Sequence, residues 1–234
     1  MPKQQLRTKR IPSAEEENQA FFQKVYAWMF LGLLLSALAA YSVASVPALT
    51  ALFLFGPLFF VLLIGELALV FSLVFFMKRV RASTAGLLFI LYSLTTGLTL
   101  SVIFLVYEIS SIALVFIITA GMFGAMSLYG YTTKRDLTSF GSLLFMGLLG
   151  IVIAGFINLF FGNPLIDFAL SCIGVLIFTG LTAYDTQKIK QMNVLGNEGT
   201  EEDTKEAIVG ALHLYLDFIN LFLDLLRLLG KRKR

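Results

Sequence analysis

Apolar positions fill this chain in long runs separated by short polar breaks. Seven runs cover roughly 22–46, 57–77, 84–107, 110–132, 139–161, 165–187 and 207–229. Each reaches the length of about 20 residues that lets a helix cross a hydrocarbon core. Lipid offers no partner to backbone N–H and C=O groups, so each run is expected to close its own hydrogen bonds as a helix. The pattern predicts an all-α membrane protein, a seven-transmembrane helix bundle. It divides the chain into a cytoplasmic amino-terminal segment at 1–20, a transmembrane domain at 21–229 and a basic tail at 230–234. Ser13 followed by Glu16 has the form of a capping box ahead of the first run, and Asp203 with Glu206 repeats it ahead of the seventh. Pro57 and Pro164 stand at run entrances, where a missing N–H costs little.

Composition sharpens this picture. Hydrophobic residues make up 58% of the 234 positions and charged residues 14%, against about 25% charged in a soluble domain. A single cysteine, Cys172, and a single histidine, His213, exclude a disulfide framework and a Cys/His zinc cluster. The net charge of +3 comes from basic residues between and beyond the apolar runs, which fits membrane orientation and gives no reason to expect nucleic acid. The first 20 residues are polar, so no cleavable signal is expected.

Lys3, Arg7, Lys9, Arg10 and Lys24 precede or open the first run. Lys78, Arg79 and Arg81 lie in the second connection, Lys134 and Arg135 in the fourth, and Lys188, Lys190 and Lys205 around the sixth. The first, third and fifth connections have none. That alternation places the amino terminus in the cytoplasm. Seven crossings would then put "GKRKR" on the other side, against the same rule. The seventh run either crosses as an exception or re-enters and returns; crossing is the expectation. Gly121 with Ala125, and Gly147, Gly150 and Gly155, are positions where helices can approach closely. Gln191 to Glu206, with "EGTEED", reads as a solvated linker.

Ionisable side chains inside such runs are expensive and point to function. Glu66 lies mid-run in the second, serving either a structural hydrogen bond or an ion pathway. Asp167 and Asp185 mark opposite ends of the sixth, and Asp167 is placed to reach headgroups. In the seventh, His213, Asp217, Asn220, Asp224 and Arg227 fall within an arc of roughly 80° at 100° per residue. Such a stripe either faces a wet interior or marks a helix lying on the membrane surface; the interior is the expectation. If the last two helices pack antiparallel, Asp185 and Asp217 meet partway into the membrane. Two close carboxylates cannot both ionise cheaply, so they share a proton and titrate as a pair. Deprotonated, they repel and seek a cation, and an all-oxygen acidic site suits Ca²⁺. Arg79 or Arg81 would supply a competing positive charge.

"FTGLTAYDTQKIK" (178–190), "FGAMSLYGYTTKRDLTSFGSLLFMGLLG" (123–150) and "LHLYLDFINLFLDLLRLL" (212–229) together resemble the Bax inhibitor family, in the style of a bacterial member. The likeness extends from about residue 20 onward. It implies seven helices with the last one central, surrounded by the other six, and a pH-sensitive calcium leak governed by an aspartate pair and a nearby arginine. By motif the pair is Asp185 and Asp217, which would also be the Ca²⁺ contacts. The pattern around "ELALVFSLVFFMKRV" selects Arg79 and matches Glu66 to an acidic position, while His213 stands where some relatives carry an additional acid. The family also includes cell-death suppressors and partners of membrane proteases.

The leading expectation is therefore a calcium leak pathway in a bacterial plasma membrane, not an enzyme, with no cofactor beyond the transported ion. Its partners would be the lipid bilayer and the calcium ion. A non-transporting regulator of other membrane proteins is one alternative. An intramembrane aspartyl protease is another, but the expected Gly-x-Gly-Asp stretch is missing around Asp217, which reads "LYLDF".

Overall fold

A computed structural model describes residues 13–76 and 79–233; Lys3, Arg7, Lys9, Arg10 and Lys78 lie outside them. The regular elements described are all helices: α1 (Ala14–Ser45), α2 (Pro47–Leu54), α3 (Leu58–Phe76), α4 (Ala82–Leu100), α5 (Val102–Val106), α6 (Ile109–Thr132), α7 (Thr138–Phe161), α8 (Pro164–Met192) and α9 (Glu201–Leu229). Seven spans are long and apolar enough to cross a membrane, with α4 and α5 forming one broken span. The break falls at Ser101, whose hydroxyl donates to Leu98 O at 2.6 Å, a local bond that competes with the helical ladder.

The first capping box is present: Ser13 Oγ accepts from Glu16 N at 3.2 Å and Glu16 Oε2 accepts from Ser13 N at 2.8 Å. The second is displaced. Thr200 caps α9, its hydroxyl accepting from Asp203 N at 3.2 Å. Asp203 is then free to pair with Lys24 on α1, 2.6 Å away, and is almost fully buried. The linker expected at 191–206 is thus corrected to the short stretch between α8 and α9. Three carboxylates in the first turn of α9 suit the positive end of a helix, so the acidic stretch folds into it.

Cross-links divide the connections between two faces. On one face, Glu17 accepts from Gly196 N at 2.8 Å, Asn193 donates to Asn18 at 2.8 Å, and Ala82 N donates to Glu201 at 2.8 Å. Lys190 reaches Tyr131 O at 3.1 Å on the same face. The beginning of α1 and the α3–α4, α6–α7 and α8–α9 connections therefore lie together. Opposite them, the chain after α9 docks on the α5–α6 turn. Glu108 N donates to Lys231 O at 2.9 Å, Lys233 N donates to Val106 O at 2.8 Å, and the Lys231–Glu108 ion pair measures 3.0 Å. The seventh span thus crosses from one face to the other without re-entering.

Of the seven spans α9 is the most buried. Its principal contacts are with α1, α4, α6 and α8, while α3 packs mainly on α4 and α7 on α8. Tyr215 shows how α9 is anchored: its hydroxyl meets Ser36 Oγ at 2.7 Å, and its ring packs edge-on against Phe89 and Tyr92. On another side, Phe116 and Phe123 pack against Phe218 with ring centres 5.3 and 5.4 Å apart.

Close helix approach occurs at one of the expected glycines, Gly147, where a Cβ would meet Ile177 at 3.0 Å, and at others not expected. Gly121 and Gly150 have open space where a Cβ would sit, whereas a Cβ on Gly130 would strike the backbone of Ala183, on α8. Gly130→Ala should therefore push α6 off α8 and cost roughly 1–3 kcal/mol. Thermal melting in detergent should show a lower midpoint for Gly130→Ala and little change for Gly121→Ala.

Candidate functional site

Four consecutive residues of α8, Tyr184-Asp185-Thr186-Gln187, each meet a different neighbour, as successive steps of about 100° around a helix require. The Tyr184 ring lies against Gly141 of α7, filling the place of a side chain there. Thr186 Oγ1 meets Ser127 Oγ of α6 at 2.8 Å, and Ser127 also bonds the Tyr26 hydroxyl of α1. Gln187 grips the α6–α7 connection twice, donating to Arg135 O at 2.7 Å and accepting from Leu137 N at 2.9 Å. In that connection Asp136 accepts from Thr138 N at 2.9 Å, and its bonds to Thr138 hold the carboxyl below the usual range. With three of the four side chains fixed, Asp185 is left facing α9.

Asp217 is the group it faces. Asp217 is 4% exposed, and its Oδ2 has no hydrogen-bond donor. The Asp185 carboxyl is close enough to act on it electrostatically, and the two line the same cavity. His213, one turn earlier on α9, brings Nδ1 to 3.8 Å from Asp185 Oδ1, an ion pair whenever the imidazole is protonated.

These side chains open onto a cavity of about 1250 Å³ between α7, α8 and α9. Its polar wall carries the whole α9 stripe: His213, Asp217, Asn220, Asp224 and Arg227. It runs from Tyr184 and Lys188 near one face to Tyr107 and Arg232 near the other.

Of the other predicted residues, Glu66, Arg79 and Arg81 lie apart from this cavity, whereas Asp167 and Asp224 line it. Glu66 accepts from Thr99 Oγ1 of α4 at 2.8 Å and does not line this cavity. Arg79 and Arg81 are exposed at the α3–α4 connection, and among the described residues neither forms an ion pair with an aspartate. Asp167 is exposed at the α7–α8 turn and accepts from Asn158 at 2.6 Å. Asp224 is paired with Arg227 at 3.2 Å. Sequence reasoning passed over Thr186 and Gln187, although both stand inside the quoted motif; their polarity near the end of an apolar run was the available signal.

Fold and site together define a multi-pass membrane protein with an acidic, partly buried cavity beside its last helix. The profile described as "Inhibitor of apoptosis-promoting Bax1" matches residues 18–234. The chain is 50% identical over 217 residues to the Escherichia coli "Inner membrane protein YbhL", covering 92% of this chain and 93% of that one. It is 46% identical over 214 residues to an uncharacterized protein of Borreliella burgdorferi, covering 91% and 92%. Identity to the Lactococcus lactis protein YrjE is 41% over 214 residues, covering 90% of each. The chain belongs to the Bax inhibitor family.

If the cavity holds water, Asn220→Cys in a Cys172→Ala background should react with a charged thiol reagent. Ala211→Cys, fully buried and outside the cavity wall, should not. Equal labelling of the two would show that the stripe is not solvated.

Proposed function

We propose that this protein is a pH-gated cation leak pathway, with Ca²⁺ as the transported ion, and not an enzyme. The observation that carries this reading is the Asp185–Asp217 pair facing a cavity that reaches toward both faces of the bundle. With one proton shared, the pair ties α8 to α9. Without it, two like charges in a poorly solvated site repel and attract a cation. Hard oxygen ligands suit Ca²⁺. The basic connections gathered on the α1-start face support a cytoplasmic amino terminus. A relative named as an inner membrane protein supports a bacterial plasma membrane as the address.

His213, whose Nδ1 lies 3.8 Å from Asp185 Oδ1, supports a role beside the pair like the one the resemblance implied for Arg79. Protonated His213 competes with the shared proton for Asp185. Lys188 also lines the cavity, but its amine lies over the Tyr184 ring, 5.8 Å from the centroid.

Purified protein in liposomes loaded with a Ca²⁺ indicator tests both points. Flux should rise as pH rises, because losing the shared proton opens the pair, and Asp217→Asn should flatten that dependence. A wild-type flux that climbs steadily on acidification would reverse the proposed sign. Removing the competitor with His213→Gln should leave the proton bridge intact to higher pH and move the half-maximal flux upward. An unmoved midpoint would remove His213 from the mechanism.

A further inference from the structure

Two turns beyond Asp217, about 10 Å along α9, the same cavity wall carries a second buried carboxylate, Asp224, only 6% exposed. Its setting is built around it. A Cβ on Gly174 of α8 would collide with Asp224 Oδ2, so the carboxyl occupies the notch which that glycine leaves. Ser171, one turn before Gly174, is 1% exposed and lines the cavity. Its hydroxyl lies beside the Asp224 carboxyl, yet Oγ has no partner in hydrogen-bond geometry. Arg227 caps the carboxylate from the outer side at 3.2 Å and is itself more than half exposed. Asn220, between the two aspartates on the stripe, turns its amide N–H to Leu216 O at 2.8 Å, which leaves its amide oxygen available to the cavity.

A buried carboxylate with a solvent-exposed counter-ion, a buried hydroxyl beside it that forms no geometric hydrogen bond, and an amide oxygen on the cavity wall make an oxygen-lined position with one removable positive charge. We infer that Asp224, Ser171 and Asn220 form a second cation station in the cavity, taking a hydrated divalent cation when Arg227 swings away. The inference rests on the leak reading for its role, because it places the station on the route from Asp217 toward the tail-covered face. Its existence as a binding site does not depend on that reading. Arg227 here is a positioning residue: it holds the station neutral while no cation is present.

Mn²⁺ binding, followed by loss of the free-ion paramagnetic resonance signal, tests the station on purified full-length protein. An Asp185→Asn, Asp217→Asn background removes both carboxylates of the inner pair, so binding that depends on Asp224 is read without them. Adding Asp224→Asn should weaken Mn²⁺ binding about tenfold, the scale of one charge-assisted contact, and Asp224→Glu should restore part of it. Arg227→Gln should strengthen binding by a similar factor. This second variant keeps Asp224 in place and decides the matter if Asp224→Asn does not fold. Gly174→Ala, which displaces the carboxyl, should weaken binding. A purely structural Asp224–Arg227 pair would lower the melting temperature in both single variants while leaving Mn²⁺ affinity unchanged; that result overturns the station. Wild-type liposomes that pass no Ca²⁺, beside Mn²⁺ binding that still depends on Asp224, would overturn the leak reading and leave the station standing.

Discussion

A carboxylate inside a bilayer must find a proton, a cation, a counter-charge or water, and each choice constrains what can surround it. Asp217 is held within the bundle on the most buried helix with an oxygen that no protein donor satisfies. Another acid, Asp185, shares its cavity. Replacing either acid with an apolar side chain would remove that desolvation cost at once. The arrangement therefore spends stability on keeping two acids together, and the packing of α8 on α9 has to supply what they withhold.

That packing comes from the side chains on either side of Asp185. Thr186, Ser127 and the Tyr26 hydroxyl bind α8 to α6 and α1, and Gln187 binds it to the α6–α7 connection. Gly130 lets the α6 and α8 backbones come into direct contact. Without a hydrophobic driving force between helices in lipid, close backbone approach and polar cross-links are what hold them. The apolar side of α9 is fixed independently through Tyr215, Ser36 and the aromatic contacts of Phe218. The acidic face is thus positioned by polar and aromatic contacts on the other sides of α8 and α9.

The seven spans were legible because lipid demands long uninterrupted apolar helices, and the α9 stripe was legible because helical periodicity puts its five polar residues on one face. Asp185 and Asp217 could be placed together once the direction of each helix followed from the alternating basic connections. Three kinds of detail were not legible. The short helix α2 and the break at Ser101 lie within apolar sequence, where local geometry leaves no compositional mark. Burial of Asp203 within the otherwise exposed acidic stretch could not be read, because its partner, Lys24, is 179 positions away. Glycines used for close contact, such as Gly130 and Gly174, cannot be told from idle ones such as Gly121 until the facing helix is known.

The same limit explains the positive charge beside the pair. Arg79 and Arg81 share the correct face with Asp185, and sidedness was all that the alternation of basic residues could report. Reach depends on which helix lies next to α8, and that neighbour is α9, not α3 or the beginning of α4. His213 therefore occupies the ion-pair distance that sequence position suggested for an arginine. An arginine stays charged across the accessible pH range, whereas an imidazole loses its charge. In the proposed gate a histidine at this position is therefore not interchangeable with an arginine.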